Sequence, residues 1–200
     1  MIIIIATIKD VLAKERDAIS YLIDNIDEAE LIKTVDIIKN CRGRVIFMGV
    51  GKSGHIGKKL AATFASLGIP SFFVHSTEAM HGDLGMILKD DVAILISNSG
   101  NTAEVVQNVP FVKANGAVTV AFTSKKESKL AKLCDALLLI PALPEADSNA
   151  LAPTVSSTLT LALGDALACA LSEAKAFSRD DFHKFHPGGA LGNMLSNERK

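Results

Sequence analysis

Five short apolar stretches, rich in β-branched residues, alternate along the chain with segments of helical periodicity. The stretches are residues 44–50, 71–75, 92–97, 118–123 and 136–141. Because the segments between them are long enough to form crossover helices, we expect the stretches to be parallel strands of one sheet that is covered on both faces. The pattern therefore predicts an α/β fold, a three-layer αβα sandwich around a five-stranded parallel sheet.

Apolar residues at helical spacing predict the remaining elements. The predicted helices are 8–26 and 28–39 before the first strand, and 56–67, 103–114 and 128–133 between strands. The apolar segment 154–177 is expected to be a buried helix, because Asp165 and several hydroxyl groups within it would be costly in lipid. With a turn-rich stretch at 186–192, these elements predict a single domain over residues 1–200, with its α/β core at about 44–141.

Charge and cysteine content exclude several classes of protein. The chain has 21 basic and 22 acidic residues, and the basic ones are dispersed, so nothing predicts a nucleic-acid or membrane partner. The three cysteines have no metal-ligand spacing and are typical of reduced thiols in the cytosol. The apolar start lacks a basic n-region and leads directly into a charged segment, so no signal peptide is predicted. We therefore expect a cytoplasmic protein.

A glycine-rich loop, Gly49-Val-Gly-Lys-Ser-Gly54, follows the first predicted strand, where ligands bind in an open parallel sheet. It matches GxGxxG, but the second strand ends without the acidic residue that a dinucleotide site requires, and a Walker A loop would need glycine in place of Ile46. Gly51, Lys52 and Ser53 at a helix N-terminus suit a small phosphate or an oxyanion. The alternative is a tight turn with Lys52 in solvent.

A second loop, Ser97-Asn-Ser-Gly-Asn-Thr102, follows the most apolar strand. Its hydroxyl and amide groups, with the backbone N–H groups of the next helix, could bind three phosphate oxygens without an arginine. The alternative is helix capping, which favours the same residue types. The loop has more hydroxyl groups than one cap uses, so it is interpreted as a phosphate site. On position alone, Glu104 in the following turn complements the helix dipole.

Histidines are the other candidate site residues. His75 ends a strand, and His81 and His186 lie in glycine-containing turns that a ligand could reach. A lone loop histidine is more often a polar surface residue. Since the chain contains no HxH or HExxH spacing, no resident metal site is predicted.

Taken together, five segments resemble the SIS (sugar isomerase) domain of the D-arabinose 5-phosphate isomerases. They are Phe47-Met-Gly-Val-Gly-Lys-Ser-Gly-His55, His81-Gly-Asp-Leu-Gly85, Ser97-Asn-Ser-Gly100, Asn149-Ala-Leu-Ala-Pro-Thr154 and Phe185-His-Pro-Gly-Gly-Ala-Leu-Gly192. The resemblance implies a flavodoxin-like fold, interconversion of D-ribulose 5-phosphate and D-arabinose 5-phosphate, and a homotetramer with active sites at subunit interfaces. Members of that family commonly continue into a pair of CBS domains, which this sequence does not contain, so CBS regulation is not expected.

By resemblance, the catalytically relevant positions are Lys52, Glu104, Glu145 and His186. Glu104 is interpreted as the base, because a carboxylate near a helix N-terminus beside the phosphate loop can reach a five-carbon substrate held by its phosphate. Lys52 would stabilise the enediolate oxyanion, His186 would open the sugar ring or shuttle a proton, and Glu145 would have a supporting acid–base or orienting role. The residues expected to bind substrate are Gly51, Ser53, His81, Ser97, Asn98, Ser99, Gly100 and Thr102. Aldose–ketose isomerisation needs a base and oxyanion stabilisation and no redox step, so no cofactor is expected. His75 matches a position associated with inhibitory zinc.

Two alternative functions remain. A non-catalytic sugar-phosphate sensor would need the phosphate loop alone, although the sequence shows no helix-turn-helix or basic face. An isomerase of another sugar phosphate, such as 3-hexulose 6-phosphate, would use a similar domain. The stretch at 186–192 argues against this second alternative. The acid–base set Lys52, Glu104, Glu145 and His186 favours an enzyme over a sensor.

Overall fold

Five parallel strands form the centre of the computed structural model, which describes residues 1–190 and 193–194. The strands are β1 (Val45–Gly49), β2 (Ser71–His75), β3 (Val92–Ile96), β4 (Val118–Thr123) and β5 (Ala136–Leu139). Their order in the sheet is β2-β1-β3-β4-β5, and Val45 of β1 aligns with Ser71 on one side and Val92 on the other. The predicted α/β class and five-stranded parallel sheet are confirmed.

Helices cover both faces of the sheet. They are α1 (Ile2–Asp24), α2 (Glu28–Lys39), α3 (Gly51–Ser66), α4 (Ser76–Ala79), α5 (Ala103–Val106), α6 (Val109–Ala114), α7 (Lys129–Leu133), α8 (Val155–Ala174) and α9 (Arg179–Phe185), with a 3₁₀ turn at Asp83–Met86. Successive side chains of a strand point to opposite faces. Accordingly Phe47 packs with Phe64 of α3 in one core, while Ile46 and Met48 pack with α5, α6 and α7 in the other. All five residues of β1 are therefore buried.

Helix α1 begins six residues earlier than the sequence pattern predicts. Ile2 to Ile5 are 51–86% exposed, and Thr7 donates a hydrogen bond to the carbonyl of Ile3 within the helix itself. A helix that continues without tertiary contacts shows no amphipathic pattern, because no face of it is buried. The hydrophobic periodicity from residue 8 onward thus starts close to Val11, the first residue of α1 that packs against the core, and misses the exposed start of the helix.

The single helix predicted at 103–114 is wrong in one respect, because the structure divides it into α5 and α6 at Gln107 and Asn108. Proline lacks an N–H, and its ring clashes with the carbonyl four residues earlier. Pro110 would place that clash at Val106, where α5 ends. Helix α5, which carries Glu104, is consequently a single turn.

Helix α8 is buried against the core, as the segment 154–177 predicts. By length and composition it could cross a membrane, but ten of its residues are buried within this domain. Gly164 allows close packing with α3, since a Cβ there would lie 2.5 Å from Leu60 Cδ1. Asp165 accepts from Lys59 Nζ at 2.6 Å, so its charge is paired on the same interface.

Candidate active site

A pocket of about 140 Å³ lies where the carboxyl ends of β1 and β3 meet the first turns of α8. Lys52 and Ser53 of α3, Asn98 of the β3–α5 loop, and Ser156 of α8 are among its lining residues. The chain leaves β1 towards β2 and β3 towards β4, in opposite directions, so this is the switch point where open α/β sheets bind ligands. Three of the predicted site residues thus meet in one cavity.

The glycine-rich loop takes its shape from backbone requirements. Gly51 opens α3 with φ +55°, a conformation that glycine adopts without strain. A Cβ on Gly49 would lie 3.2 Å from the backbone N of Gly54, so the turn also needs a residue without a side chain there. Lys52 is exposed on the first turn of α3, a helix of 16 residues whose N-terminus favours negative charge.

The second loop is held rigid from within. Ser97 is 2% exposed, and its hydroxyl lies 2.8 Å from the hydroxyl of Thr102 and accepts from the N–H of Gly100 at 3.1 Å. Gly100 has φ +62°, and a Cβ there would overlap the side chain of Ser128. Ser97, Gly100 and Thr102 were all predicted to bind substrate, but their contacts lie within the loop. The neighbouring residues form its exposed side.

The exposed side of the same loop presents Asn98 and Ser99. Ser99 Oγ accepts from the N–H of Asn101 at 3.2 Å, which leaves the hydroxyl proton of Ser99 available to a ligand. The carbonyl of Asn98 is anchored by Thr123 Oγ1 and the N–H of Ser124, both at 3.0 Å. Asn101 is exposed as well, but its amide is bonded to the carbonyl of Ser99 and the N–H of Lys129. Asn98 and Ser99 are therefore the exposed side chains of this loop with groups left for a ligand.

Glu104 lies on α5 with an exposed side chain, two residues beyond Thr102. It is not among the residues that line the 140 Å³ pocket. Its backbone carbonyl accepts from Asn108 Nδ2 at 2.6 Å, and the same amide donates to the carbonyl of Ser76 at 2.9 Å. The fully buried Asn108 thereby fixes the turn that carries Glu104 to the residue that follows β2.

Glu145 is placed very differently, in the connection between β5 and α8. Its carboxylate accepts from the N–H of Thr154 at 2.7 Å, the N–H of Ser156 at 3.2 Å, and both of their hydroxyl groups. Burial alone would raise the pKa of Glu145, but the hydrogen bonds from Ser156 and Thr154 outweigh it and hold the pKa below its ordinary value. Glu145 is thus an ionised cap at the start of α8.

The sequence analysis did not include the hydroxyl residues at the start of α8 among the site residues. Thr154 and Ser156 belong to a run of hydroxyl residues at the beginning of a mainly apolar helix, which is the signal that could have identified them. Their link to Glu145 spans nine and eleven residues of irregular chain. No local pattern predicts a contact across such a loop.

The two histidines near β2 do not line the pocket. His81 is exposed after α4, and Gly82 follows it with φ +124°. His75 ends β2, and its Nδ1 is buried without a hydrogen-bond partner in the described part of the chain. Within residues 1–190 and 193–194, no group of three or more His, Cys, Asp or Glu side chains could hold a metal ion. Zinc at His75 therefore stays a prediction.

His186 lies near the amino-terminal end of β2, whereas the pocket lies at the carboxyl ends of the strands. It lines a surface depression of about 450 Å³ with Ser66 and Gly68, near the end of α3, and its ring stacks on Phe182 at 3.9 Å. Lys52 stands at the other end of α3, which at the helical rise per residue is roughly 20 Å away. One chain does not bring these two predicted catalytic residues together. Leu191 and Gly192 of the same motif lie outside the described residues.

Similarity to known proteins agrees with this geometry. Residues 37–170 match the SIS domain. The chain belongs to the SIS domain family. The structure of an Escherichia coli CFT073 protein, c3406, in complex with arabinose 5-phosphate is 51% identical to this chain and superposes with a TM-score of 0.89, covering 92% of this chain and 97% of that one.

Two curated relatives carry an enzyme name. The arabinose 5-phosphate isomerase KdsD of Pseudomonas aeruginosa is 51% identical over 181 residues, which are 90% of this chain and 55% of the relative. The arabinose 5-phosphate isomerase KpsF of Escherichia coli is 46% identical over 192 residues, which are 96% of this chain and 59% of the relative. The chain thus spans a little over half the length of these relatives. The segment matched to the SIS domain contains Lys52, the 97–102 loop and Glu145, and ends before His186.

Proposed function

We propose that this SIS protein is an aldose–ketose isomerase that interconverts D-ribulose 5-phosphate and D-arabinose 5-phosphate through an enediolate. The observation that carries the proposal is the pocket that joins Lys52 and Asn98 to the start of α8. Support comes from relatives named as arabinose 5-phosphate isomerases and from a solved relative in complex with arabinose 5-phosphate.

The phosphate group would anchor on the rigid 97–102 loop. Ser99 offers a free hydroxyl proton and Asn98 an exposed amide, while Ser97 and Gly100 hold the loop in shape. A loop that is already in its binding conformation loses little entropy when the ligand binds. The anchored phosphate would leave the carbonyl end of a five-carbon sugar near the pocket with Lys52.

Proton transfer between the first two carbons needs a base and a cation close to the oxygen that becomes negative. Glu104 has the exposed carboxylate for the base, on a turn that directly follows the phosphate loop. Lys52 lines the pocket and would stabilise the enediolate oxygen. Glu145 is already an acceptor of four hydrogen bonds, so its proposed role is to orient its neighbours.

The same proposal includes a cytoplasmic homotetramer, with active sites completed across subunits. It is supported by the roughly 20 Å that separates Lys52 from the depression around His186, measured along α3. A histidine that opens the sugar ring must reach the bound sugar, so it would be His186 of the partner subunit. The exposed isoleucines at the start of α1 offer apolar surface for such an assembly.

Turnover of ribulose 5-phosphate by the purified full chain tests the activity. We expect arabinose 5-phosphate to form in the presence of a chelator, with much slower turnover of 3-hexulose 6-phosphate. Binding of both pentose phosphates without turnover would instead favour the sensor. Preference for the hexulose phosphate would overturn the assigned substrate.

Subunit mixing tests the shared site. Lys52→Ala and His186→Ala subunits, each inactive alone, should regain about a quarter of wild-type activity when refolded together, as random pairing of two complementary subunits predicts. Mixing Lys52→Ala with Glu104→Gln is the matched control, since we place both residues in the same chain's half of the site. Recovery in the control, or none in the test pair, would contradict the arrangement.

A further inference from the structure

Ser156 is the hydroxyl group that connects Glu145 to the pocket. It lies in the first turn of α8, is 8% exposed, and lines the cavity together with Lys52 and Asn98. Its backbone N–H and its Oγ both donate to the Glu145 carboxylate, one to each oxygen. A buried serine in a mainly apolar helix is thus held by a charge on one side and faces a ligand cavity on the other.

The hydrogen bond to Glu145 determines what Ser156 can offer to a ligand. A serine hydroxyl has one proton to donate and two lone pairs that accept. An ionised carboxylate can only accept, so the proton of Ser156 is committed to Glu145. Towards the pocket Ser156 can then act only as an acceptor, and donation to an anion strengthens it in that role.

Neighbouring Ser157 provides the contrast. It also lines the pocket, but its hydroxyl donates to the carbonyls of Pro153 and Thr154, both at 2.9 Å. These are the local bonds that a serine in the first turns of a helix commonly makes to the preceding turn. Its partners are neutral and its hydroxyl can alternate between them, so it is neither polarised nor fixed as Ser156 is.

We propose that Ser156 is a specificity-determining residue, whose Oγ accepts a hydrogen bond from one hydroxyl group of the sugar phosphate, and that Glu145 is a positioning residue that acts through it. The inference deepens the proposed function and rests on it for the identity of the ligand. The ligand class it selects is a polyhydroxylated sugar phosphate. An analogue that lacks the matching hydroxyl leaves the buried acceptor unpaired, which is an effective way to reject it.

The first test compares binding to the full chain by calorimetry, with arabinose 5-phosphate and inorganic phosphate as probes. Ser156→Ala should weaken arabinose 5-phosphate binding about 10- to 100-fold, the usual cost of leaving a buried hydroxyl group of the ligand without its partner, and leave phosphate binding within about twofold. Ser157→Ala should weaken arabinose 5-phosphate binding less than about threefold, because its hydroxyl is bonded to backbone carbonyls of its own helix end. Equal losses in the two variants, or loss of phosphate binding in Ser156→Ala, would overturn the proposal.

The second test identifies the partner group on the ligand. Arabinose 5-phosphate analogues that lack the hydroxyl at carbon 2, 3 or 4 are compared as ligands of the wild type and of Ser156→Ala. One analogue should bind both proteins with the same affinity, because the bond is already missing from the ligand. If the affinity for every analogue falls by the same factor from wild type to Ser156→Ala, no single hydroxyl is recognised and the proposal is wrong.

Folding controls separate recognition from stability. Ser172 is 7% exposed on the last turns of the same helix, so Ser172→Ala removes an equally buried hydroxyl far from the pocket and should keep wild-type affinity. Glu145→Gln should move affinity in the same direction as Ser156→Ala, by a smaller factor. If the wild type turns over ribulose 5-phosphate and Ser156→Ala binds the sugar phosphate like wild type, this inference alone is wrong. If binding depends on Ser156 but the wild type shows no turnover, the proposed isomerase activity alone is wrong.

Discussion

Two acidic residues of the predicted catalytic set lie in opposite kinds of surroundings. The turn that carries Glu104 is four residues long, ends at a helix break, and leaves the carboxylate exposed. The carboxylate of Glu145 is inserted into the start of a 20-residue helix, where two backbone N–H groups and two hydroxyl groups donate to it. One carboxylate is free for a substrate and the other is occupied by the protein.

This difference is the basis for the two proposed roles, proton transfer for Glu104 and positioning for Glu145. A general base must have a lone pair within reach of the substrate proton. Glu145 has its acceptor capacity engaged by Thr154 and Ser156, which is why we propose a positioning role for it. Glu104 satisfies the requirement on exposure, and its backbone is held in place by Asn108. Each of the following predictions would break or sharpen this division.

The largest expected effect is that of Glu104→Gln, which keeps the shape of the side chain and removes its basicity. We expect kcat to fall by roughly 10²–10⁴-fold, the typical loss for a general base, with KM almost unchanged. Steady-state kinetics with ribulose 5-phosphate measures both. Ser99→Ala is the control, since loss of a phosphate donor should raise KM more than it lowers kcat. Near-normal kcat in Glu104→Gln would reduce Glu104 to a partner of the helix dipole.

A smaller loss is expected from Asn108→Leu, which removes the amide that ties the Glu104 turn to Ser76. Misplacement of a catalytic group should lower kcat by about 10- to 100-fold while Ser99-dependent binding is retained. The matched control is Asn115→Leu, because Asn115 Nδ2 also bonds two carbonyls, those of Leu84 and Ile87, at the far end of α6. Similar kcat losses in both variants would show that the effect is general destabilisation.

Glu145→Gln should affect stability more clearly than the chemical step. Loss of a charged N-terminal cap typically costs about 1–2 kcal/mol of unfolding free energy, which urea denaturation can measure. The exposed Glu127 pairs with Lys132 at the surface, so Glu127→Gln should change that free energy by less than about 0.5 kcal/mol. A fall in kcat for Glu145→Gln as deep as that for Glu104→Gln would remove the distinction between the two carboxylates.

The smallest expected effect is that the difference in unfolding free energy between wild type and Glu145→Gln depends on pH. Because the pKa of Glu145 is lower in the folded protein than its ordinary value of 4.5, its contribution is fully present above that pH and is lost as the pH falls through the folded pKa. The gap in unfolding free energy between wild type and Glu145→Gln should therefore narrow below about pH 4.5. A gap that widens on acidification would mean that the cap does not hold the ionised form.

Much of the fold could be predicted from local patterns. The apolar stretches predict all five strands to within two residues at each end. The signal is clearest for the central strands β1 and β3, because both are fully buried and each is a continuous apolar run. The loops after β1 and β3 were identified by residue type, and the structure brings Lys52, Ser53 and Asn98 into one pocket. The break at Asn108 was not predicted, although Pro110 carried the signal for it.

What the sequence by itself determined is therefore the parallel sheet and the two loops at its carboxyl edge, since strand periodicity and turn chemistry act within a few residues. Only the tertiary structure decided that Glu145 caps α8 through Ser156, that Asn108 reaches Ser76 across 32 residues, and that His186 lies near the amino-terminal end of β2, away from Lys52. These arrangements depend on which elements pack together. A hydrogen bond forms when packing brings donor and acceptor within about 3 Å, and no local pattern of residues specifies that distance across long stretches of chain.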